Sequence, residues 1–289
     1  MDEPKKIAGP ETEEKDELAG SEAPLLDHLI ELRKRLIRSI LVLFVLLIAC
    51  FFFATTIFDI LLEPYRSVVA VPEDLQLIYT APQEYFFTQL SLAFFGALFI
   101  GFPYLATEIY GFVAPGLYKK ERKAFLPYLI ATPIFFILGA AMVYFAVLPL
   151  AMGFFQSMQT DEIRMLVKVS EYLGLAMTLI LAFGVCFQLP VILTLLARIE
   201  LVNSGQLKKG RRYAIVGILA IAAFITPPDP ISQIGLALPL YLLYELSILS
   251  VLWVERSRAA KTAAAGSTST EVAATEAPES AKAGEKAGS

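Results

Sequence analysis

The stretch P-L-L-D-H-L-I-E-L-R-K-R-L-I-R, residues 24–38, predicts a helix that lies along a membrane face and then turns into the membrane. Its leucines recur every three or four residues and form one apolar stripe, opposite a stripe of charged side chains. Pro24 suits the first helical position, and Glu31 and Arg35 have the i,i+4 spacing of an ion pair. The pattern indicates an interfacial helix with a basic anchor. It leaves open a charged recognition surface that includes Glu31.

The residues that follow extend this pattern into a membrane-spanning segment. Residues 36–58 carry one charge, Arg38, and are long enough to cross a bilayer, which takes about 20 apolar residues. Over half of the chain, 56%, is hydrophobic, so we expect a polytopic membrane protein rather than a soluble domain. The sequence predicts an all-α protein with six transmembrane helices, the other five at residues 85–111, 124–155, 172–197, 213–226 and 231–254.

The basic residues predict the orientation of these six spans. Of the 24 Lys and Arg residues, only Arg66, Arg164 and Lys168 lie in loops on the side opposite the N-terminus. The positive-inside rule therefore places both termini in the cytoplasm. Residues 1–23 and 255–289 are rich in charged and small residues without apolar periodicity, and they predict disordered cytoplasmic tails around a six-helix domain at 24–254.

Several segments carry local predictions. The loop at residues 59–84 mixes charges, prolines and aliphatic residues, and predicts short folded helices on the outer membrane face. Three prolines in the third span, Pro127, Pro133 and Pro149, predict bending because each removes a backbone donor. The fifth span has about 14 residues and a length of about 21 Å, which predicts either local thinning of the bilayer or cover by neighbouring helices.

Signatures of catalysis and of metal binding are missing from the sequence. The segment G-Q-L-K-K-G-R-R at 205–212 lacks the Lys-Ser/Thr pair of a phosphate-binding loop. His28 has no Cys or His partner at metal-ligand spacing, and the two cysteines, Cys50 and Cys186, fall inside apolar spans. We expect no enzyme activity, no cofactor, no metal site and no nucleic-acid partner.

Polar residues inside the spans are the other candidates for function, because hydrocarbon makes them costly. Gln188 lies in the fourth span, where a hydrogen bond between helices would also account for it. Glu245 lies in the sixth span and is expected to be protonated, paired with a hydroxyl such as that of Tyr241 or Tyr244, or exposed to a wet groove. Glu108 lies near the inner end of the second span, so its position fits an interfacial acid.

Together, four motifs resemble the TatC family, the multi-spanning subunit of the twin-arginine protein translocase. H-L-I-E-L-R-K-R-L at 28–36 is similar to the N-terminal signature of that family, and F-V-A-P-G-L-Y-K-K-E-R-K at 112–123 to its first cytoplasmic loop. F-G-V-C-F-Q-L-P at 183–190 and T-P-P-D at 226–229 match further. The resemblance extends over residues 24–253, and the motifs occur in the order and on the sides of the membrane that the family requires.

The resemblance implies a signal-peptide receptor in the bacterial inner membrane. It implies a concave, glove-like bundle that works with the single-span subunits TatA and TatB, as an oligomeric complex driven by the proton gradient. By the same resemblance, Glu31 and Glu121 would bind the paired arginines of the signal peptide. A carboxylate accepts a forked pair of hydrogen bonds from a guanidinium, a geometry that lysine does not reproduce. Without the resemblance, Glu121 would be taken as an acid that stabilises the start of a helix.

The resemblance assigns roles to further residues. The recognition surface would also include Arg33, Phe112, Pro115, Tyr118 and Arg122. Pro64 and Asp229 would belong to the outer caps, and Gln188 and Glu245 would contact a partner helix or signal peptide in the groove. Many family members have glutamate at the position of Gln188, so this residue departs from the pattern and has no proton to exchange.

Two other classes of function remain open on the sequence. A secondary transporter or channel for a small solute would also combine several spans, prolines and membrane carboxylates. A structural scaffold without signal recognition would need neither Glu31 nor Glu121 for binding.

Overall fold

The computed structural model describes the backbone of residues 10–69, 77–113, 122–160, 166–225 and 230–283. Side chains are described for 28–69, 77–112, 127–160, 166–225 and 233–260. Nearly all of this part of the chain is helical, which confirms the prediction of an all-α polytopic protein. The helices are α1 (Pro10–Phe52), α2 (Ala54–Arg66), α3 (Glu84–Val113), α4 (Arg122–Met142), α5 (Leu148–Ser157), α6 (Val169–Cys186), α7 (Leu189–Arg198), α8 (Ser204–Ile225) and α9 (Pro230–Ala283).

Five helical segments of the described residues are long and apolar enough to cross a membrane: His28–Phe52, Glu84–Phe112, Pro127–Ser157, Val169–Arg198 and Gln233–Ala260. They correspond to five of the six spans expected from the sequence. The remaining candidate is α8, which has 22 residues rather than about 14. The first half of α8 is too polar for α8 to count among these apolar helices, because it carries Lys208, Lys209, Arg211 and Arg212. A sixth span stays a prediction.

Helices α1 and α9 extend beyond the boundaries expected from the sequence. Helix α1 begins at Pro10, so Pro24 lies inside the helix and not at its first position. Helix α9 continues to Ala283, through most of the segment that we expected to be a disordered tail. The physical reason is composition, because Glu, Lys and Ala have high intrinsic helix propensity even where no apolar face requires a helix.

The first span ends earlier than the sequence suggests. The backbone leaves the helix at Phe53, whose φ and ψ are −103° and 9°, and a new helix, α2, starts at Ala54. Helix α2 is amphipathic and buries Leu61, Leu62 and Tyr65 against its surroundings, including α3. Burial of this apolar face favours a separate helix over a longer first span. Residues 59–66 of the loop that we expected to contain short helices thus belong to α2, and a place on the outer membrane face stays a prediction.

The chain divides into two compact units. Unit 1 contains residues 1–133 and 158–177, and therefore α1, α2, α3 and the first part of α4 and of α6. Within it, α1 packs along α3, and a short parallel ladder joins β1 (Leu77–Ile78) to β2 (Val167–Lys168). The hydroxyl of Tyr172 donates a hydrogen bond of 2.8 Å to the carbonyl of Leu61, which ties α6 to α2.

Unit 2 contains residues 134–157 and 178–289, and its core lies among α4, α6, α7 and α9. Helix α9 packs against both α7 and α8. Phe136 and Phe183 are fully buried there, and both approach glycines of the neighbouring helix. A π-helical turn, Val143–Val147, precedes Pro149, and the Leu148 N–H bonds to the Val143 carbonyl. Pro149 has no backbone N–H and so cannot donate a hydrogen bond to the preceding turn. The wider π-helical turn is consistent with this missing bond.

Candidate functional site: an arginine–glutamate cluster on α1 and α3

Arg35 and Glu31 form an ion pair on the surface of α1, one helical turn apart. Nε and Nη2 of Arg35 donate hydrogen bonds of 3.0 and 2.7 Å to the same oxygen of Glu31, Oε1. The i,i+4 spacing with the acid first is the favourable orientation for such a pair. The Glu31 side chain keeps 37% of its surface exposed. Among the described residues, hydrogen bonds reach only one of its two carboxylate oxygens.

The other edge of the Arg35 guanidinium bonds to Glu108 on α3. Arg35 Nη1 donates to Glu108 Oε2 at 2.9 Å, and Arg38 Nη1 donates to Oε1 at 3.1 Å. The hydroxyl of Tyr104, one turn earlier on α3, donates to the same Oε1 at 2.8 Å. Glu108 is buried, with 8% of its side chain exposed, so three donors compensate a carboxylate that has lost most of its water.

A glycine on α3 makes room for this arrangement. A Cβ atom at Gly111 would lie 2.5 Å from Arg35 Nη1 and 3.1 Å from the guanidinium carbon. One residue further, the ring of Phe112 stacks on His28 of α1, with centroids 4.2 Å apart and planes inclined by 18°. Helices α1 and α3 are thus in contact through both polar and aromatic side chains. We call Glu31, Arg35, Arg38, Tyr104 and Glu108 the arginine–glutamate cluster.

The cluster consists of carboxylates and guanidinium groups that bond to each other. Its carboxylates are acceptors, its arginines are permanent cations, and both kinds of group form charge-assisted hydrogen bonds that are stronger than neutral ones. The described residues contain no group of three or more potential metal ligands. Charge-assisted hydrogen bonding between carboxylates and guanidinium groups is the chemistry that the cluster shows.

A second polar site lies at the other end of α3. Glu84 accepts hydrogen bonds from the Ser170 hydroxyl (2.7 Å) and the Thr80 backbone N–H (2.9 Å), and Lys168 lies 3.7 Å away. Glu84, Lys168 and Ser170 line a pocket of about 340 Å³ together with Gln83 and Ser91, among others. The bonds join the start of α3 to β2 and the start of α6, which gives this glutamate a structural role.

Other residues expected from the sequence lie outside the arginine–glutamate cluster. Arg33 is exposed on α1, and Pro64 is buried inside α2. Gln188 is buried with 4% exposed, at the break between α6 and α7, and its Nε2 donates to the Gly184 carbonyl at 3.4 Å. In the chain by itself this glutamine lies inside unit 2, so a contact with a partner stays a prediction.

Glu245 has both a hydroxyl and a cationic partner. Tyr241 donates to its Oε1 at 3.0 Å, as one of the sequence alternatives proposed, and Arg211 of α8 donates to its Oε2 at 2.6 Å. Tyr244 bonds instead to the backbone carbonyl of Leu207, at 2.8 Å. The arginine partner was not foreseen, since it lies 34 residues away on another helix.

Several candidates cannot be placed. Pro115, Tyr118, Glu121 and Asp229 lie outside the described residues, and only the backbone of Arg122 is described, at the start of α4. The joint role of Glu31 and Glu121 in binding paired arginines therefore stays a prediction.

Comparison with known proteins identifies the family. Residues 27–239 match the profile of a family described as Sec-independent protein translocase protein (TatC), which is well over half of the chain. The chain belongs to the TatC family. Members of this family are components of the Sec-independent protein translocase and are not enzymes. This member is a membrane protein with several apolar helices.

Individual TatC proteins match over most of their length. The "Sec-independent protein translocase protein TatC" of Magnetococcus marinus is 43% identical over 242 residues, 84% of this chain and 89% of the relative. The TatC protein of Escherichia coli K12 is 35% identical over 225 residues, 78% of this chain and 86% of the relative. A crystal structure described as the twin arginine translocase receptor TatC is 33% identical and covers 79% of this chain and 99% of its own, with a TM-score of 0.71.

The structure adds Glu108 to the TatC motif residues. In the sequence it was only an acid near the end of a span, whereas in the structure it joins Arg35 of the N-terminal motif and the nearby Arg38 to α3. The sequence carried a partial signal, since this acid and the motif were both predicted near the inner membrane face. Sequence spacing by itself did not indicate that the two meet.

Proposed function

We propose that this chain is the receptor subunit of a twin-arginine translocase, which binds Arg-Arg signal peptides of folded proteins at its cytoplasmic face. Membership of the TatC family supports the proposal most strongly. The arginine–glutamate cluster adds physical support, because its carboxylates already accept charge-assisted hydrogen bonds from guanidinium groups.

Within this function, Glu31 and Glu121 are the acceptors for the two signal arginines. Glu31 is suited to this role because it is partly exposed and offers a carboxylate oxygen that the described residues leave open. Phe112 stacks on His28, which lies three residues before Glu31 on α1, and would belong to the same surface. Arg33, Pro115, Tyr118 and Arg122 complete the recognition surface in this proposal.

The membrane arrangement belongs to the same proposal. Six spans with both termini in the cytoplasm of a bacterium would leave three of the 24 basic residues outside. The outer caps would include Pro64 and Asp229, and a concave groove would offer Gln188 and Glu245 to single-span partners of the TatA and TatB type. Cargo would move at the expense of the proton gradient, as membership of the TatC family suggests.

The proposal is tested by peptide binding to the purified chain in nanodiscs. A synthetic signal peptide with Arg-Arg is compared with a Lys-Lys peptide of the same length, on the unmodified chain and on Glu31→Ala and Glu121→Ala. We expect the Arg-Arg peptide to bind more tightly, by about tenfold or more, because a hydrogen bond between charged groups contributes about 1.5–3 kcal/mol. Each alanine variant should remove most of this preference.

Glu63→Ala serves as the control, because Glu63 is an exposed acid of α2, outside the proposed surface. Equal binding of both peptides, unaffected by either glutamate, would contradict the receptor function and its site. Flux of a small solute through liposomes that contain only this chain would favour the transporter alternative.

A further inference from the structure

The feature that carries a further inference is the arginine already bound to Glu31. Arg35 places two donors on Glu31 Oε1, at 2.7 and 3.0 Å, and a third on Glu108. The carboxylate expected to receive a signal arginine is thus occupied by an arginine of the same chain. A guanidinium that binds Glu31 through a forked pair of hydrogen bonds needs both carboxylate oxygens, so it must compete with Arg35 for Oε1.

The two carboxylates hold Arg35 in unequal ways. Glu108 is buried and bonds to three side chains, so water and ligands have little access to it. Glu31 is more than a third exposed, and its pair with Arg35 lies on a helix surface, where solvent screens the attraction. Arg35 can therefore release Glu31 while Nη1 stays on Glu108. The guanidinium of Arg35 occupies the place that a side chain at Gly111 would take, beside its bond to Glu108.

We propose that Arg35 is an internal competitor that occupies Glu31 until an arginine of a signal peptide displaces it. This inference rests on the proposed function. A lysine is a point donor that can use the open oxygen of Glu31, whereas a forked guanidinium also needs Oε1. The displacement therefore lowers the affinity for the Arg-Arg peptide more than the affinity for the Lys-Lys peptide.

The test uses two substitutions of Arg35 in the full chain in nanodiscs. Arg35→Gln removes the competitor, and Arg35→Lys keeps the charge but supplies a point donor that cannot bridge Glu31 and Glu108. We expect Arg35→Gln to tighten the Arg-Arg peptide by about two- to fivefold, the range for a solvent-screened pair, and the Lys-Lys peptide by a smaller factor. Arg35→Lys should tighten the Arg-Arg peptide less than Arg35→Gln does.

Lys34→Gln is the matched control. Lys34 precedes Arg35 on α1, is exposed, and has no ion pair with any of the described residues. Its substitution removes the same charge, so it measures the general effect of net charge on a cationic peptide. We expect the gain from Arg35→Gln to exceed the gain from Lys34→Gln.

The outcomes separate the inference from the proposed function. If the unmodified chain does not prefer the Arg-Arg peptide, the proposed function fails before Arg35 is tested. If that preference is present but Arg35→Gln binds the Arg-Arg peptide equally or more weakly, Arg35 positions Glu31 and does not compete for it, and the inference is overturned. Equal gains from Arg35→Gln and Lys34→Gln would also overturn it. Circular dichroism checks that each variant is folded.

Discussion

Arg35 and Glu108 are 73 residues apart in the sequence, and their side chains meet through a hydrogen bond of 2.9 Å between Nη1 and Oε2. The bond joins the N-terminal motif on α1 to the end of α3, directly before the segment that resembles the first cytoplasmic loop of TatC. It holds α1 against α3 close to Glu31. The orientation of the proposed recognition surface therefore depends on a buried acid outside the motifs.

Substitution of Glu108 by alanine is expected to destabilise unit 1. The change removes the acceptor of Arg35, Arg38 and Tyr104, and lowers the free energy of unfolding by about 1.5–3 kcal/mol, the range for hydrogen bonds to charged groups. Thermal denaturation in detergent, followed by circular dichroism, measures the change. Glu63→Ala removes an exposed ion pair with Arg66 and should change stability by less than about 0.5 kcal/mol. Equal effects of the two substitutions would show that Glu108 has no special role in packing.

Gly139 marks a close approach of α4 to α6 in unit 2. A Cβ at this position would lie 2.7 Å from the backbone carbonyl oxygen of Phe183 and 2.9 Å from the Phe187 ring. Because a backbone atom cannot move as a flexible side chain does, we expect Gly139→Ala to cost about 1–3 kcal/mol of stability. Gly217 of α8 has no atom within 4 Å of such a Cβ, so Gly217→Ala should be neutral or stabilise by up to about 1 kcal/mol. A Gly139→Ala protein that melts with the unmodified chain would contradict the packing described for α4 and α6.

Arg211 and Glu245 are expected to contribute to stability as a pair. Arg211→Gln leaves the carboxylate of Glu245 with Tyr241 as its hydrogen-bond donor among the described residues, and Glu245→Gln removes the charge that attracts Arg211. We expect the double variant to be more stable than the sum of the single effects predicts, by about 0.5–1 kcal/mol. Chemical denaturation of the four proteins gives this coupling energy. Additive effects would mean that the ion pair between α8 and α9 contributes nothing.

The helical class and most of the spans follow from the sequence because apolar length is a direct signal. Residues 85–111 were expected as a span and form most of α3. The boundaries at Phe53 and Pro10 did not follow in the same way. The first depends on burial of the α2 face against its neighbours, and the second on helix propensity in a segment without an apolar stripe.

The candidate site was foreseen in part. The Glu31–Arg35 pair follows from i,i+4 spacing, which is local and visible in the sequence. The bonds from Glu108 to Arg35 and Arg38, and from Arg211 to Glu245, join helices that are distant in the chain. Hydropathy and local spacing contain no information on which helix faces meet. Only the packing of α1 on α3, and of α8 on α9, brings these groups together.

Photo-crosslinking of a bound signal peptide tests whether its arginines lie at Glu31. A photoreactive residue directly after the Arg-Arg pair reports which part of the chain lies beside the arginines, in the complete translocase in native membranes. We expect crosslinks to residues around Glu31 on α1 and to the segment 112–122, and their loss with a Lys-Lys peptide. Crosslinks at the opposite end of α3, near Glu84, or crosslinks that persist with the Lys-Lys peptide would contradict this expectation.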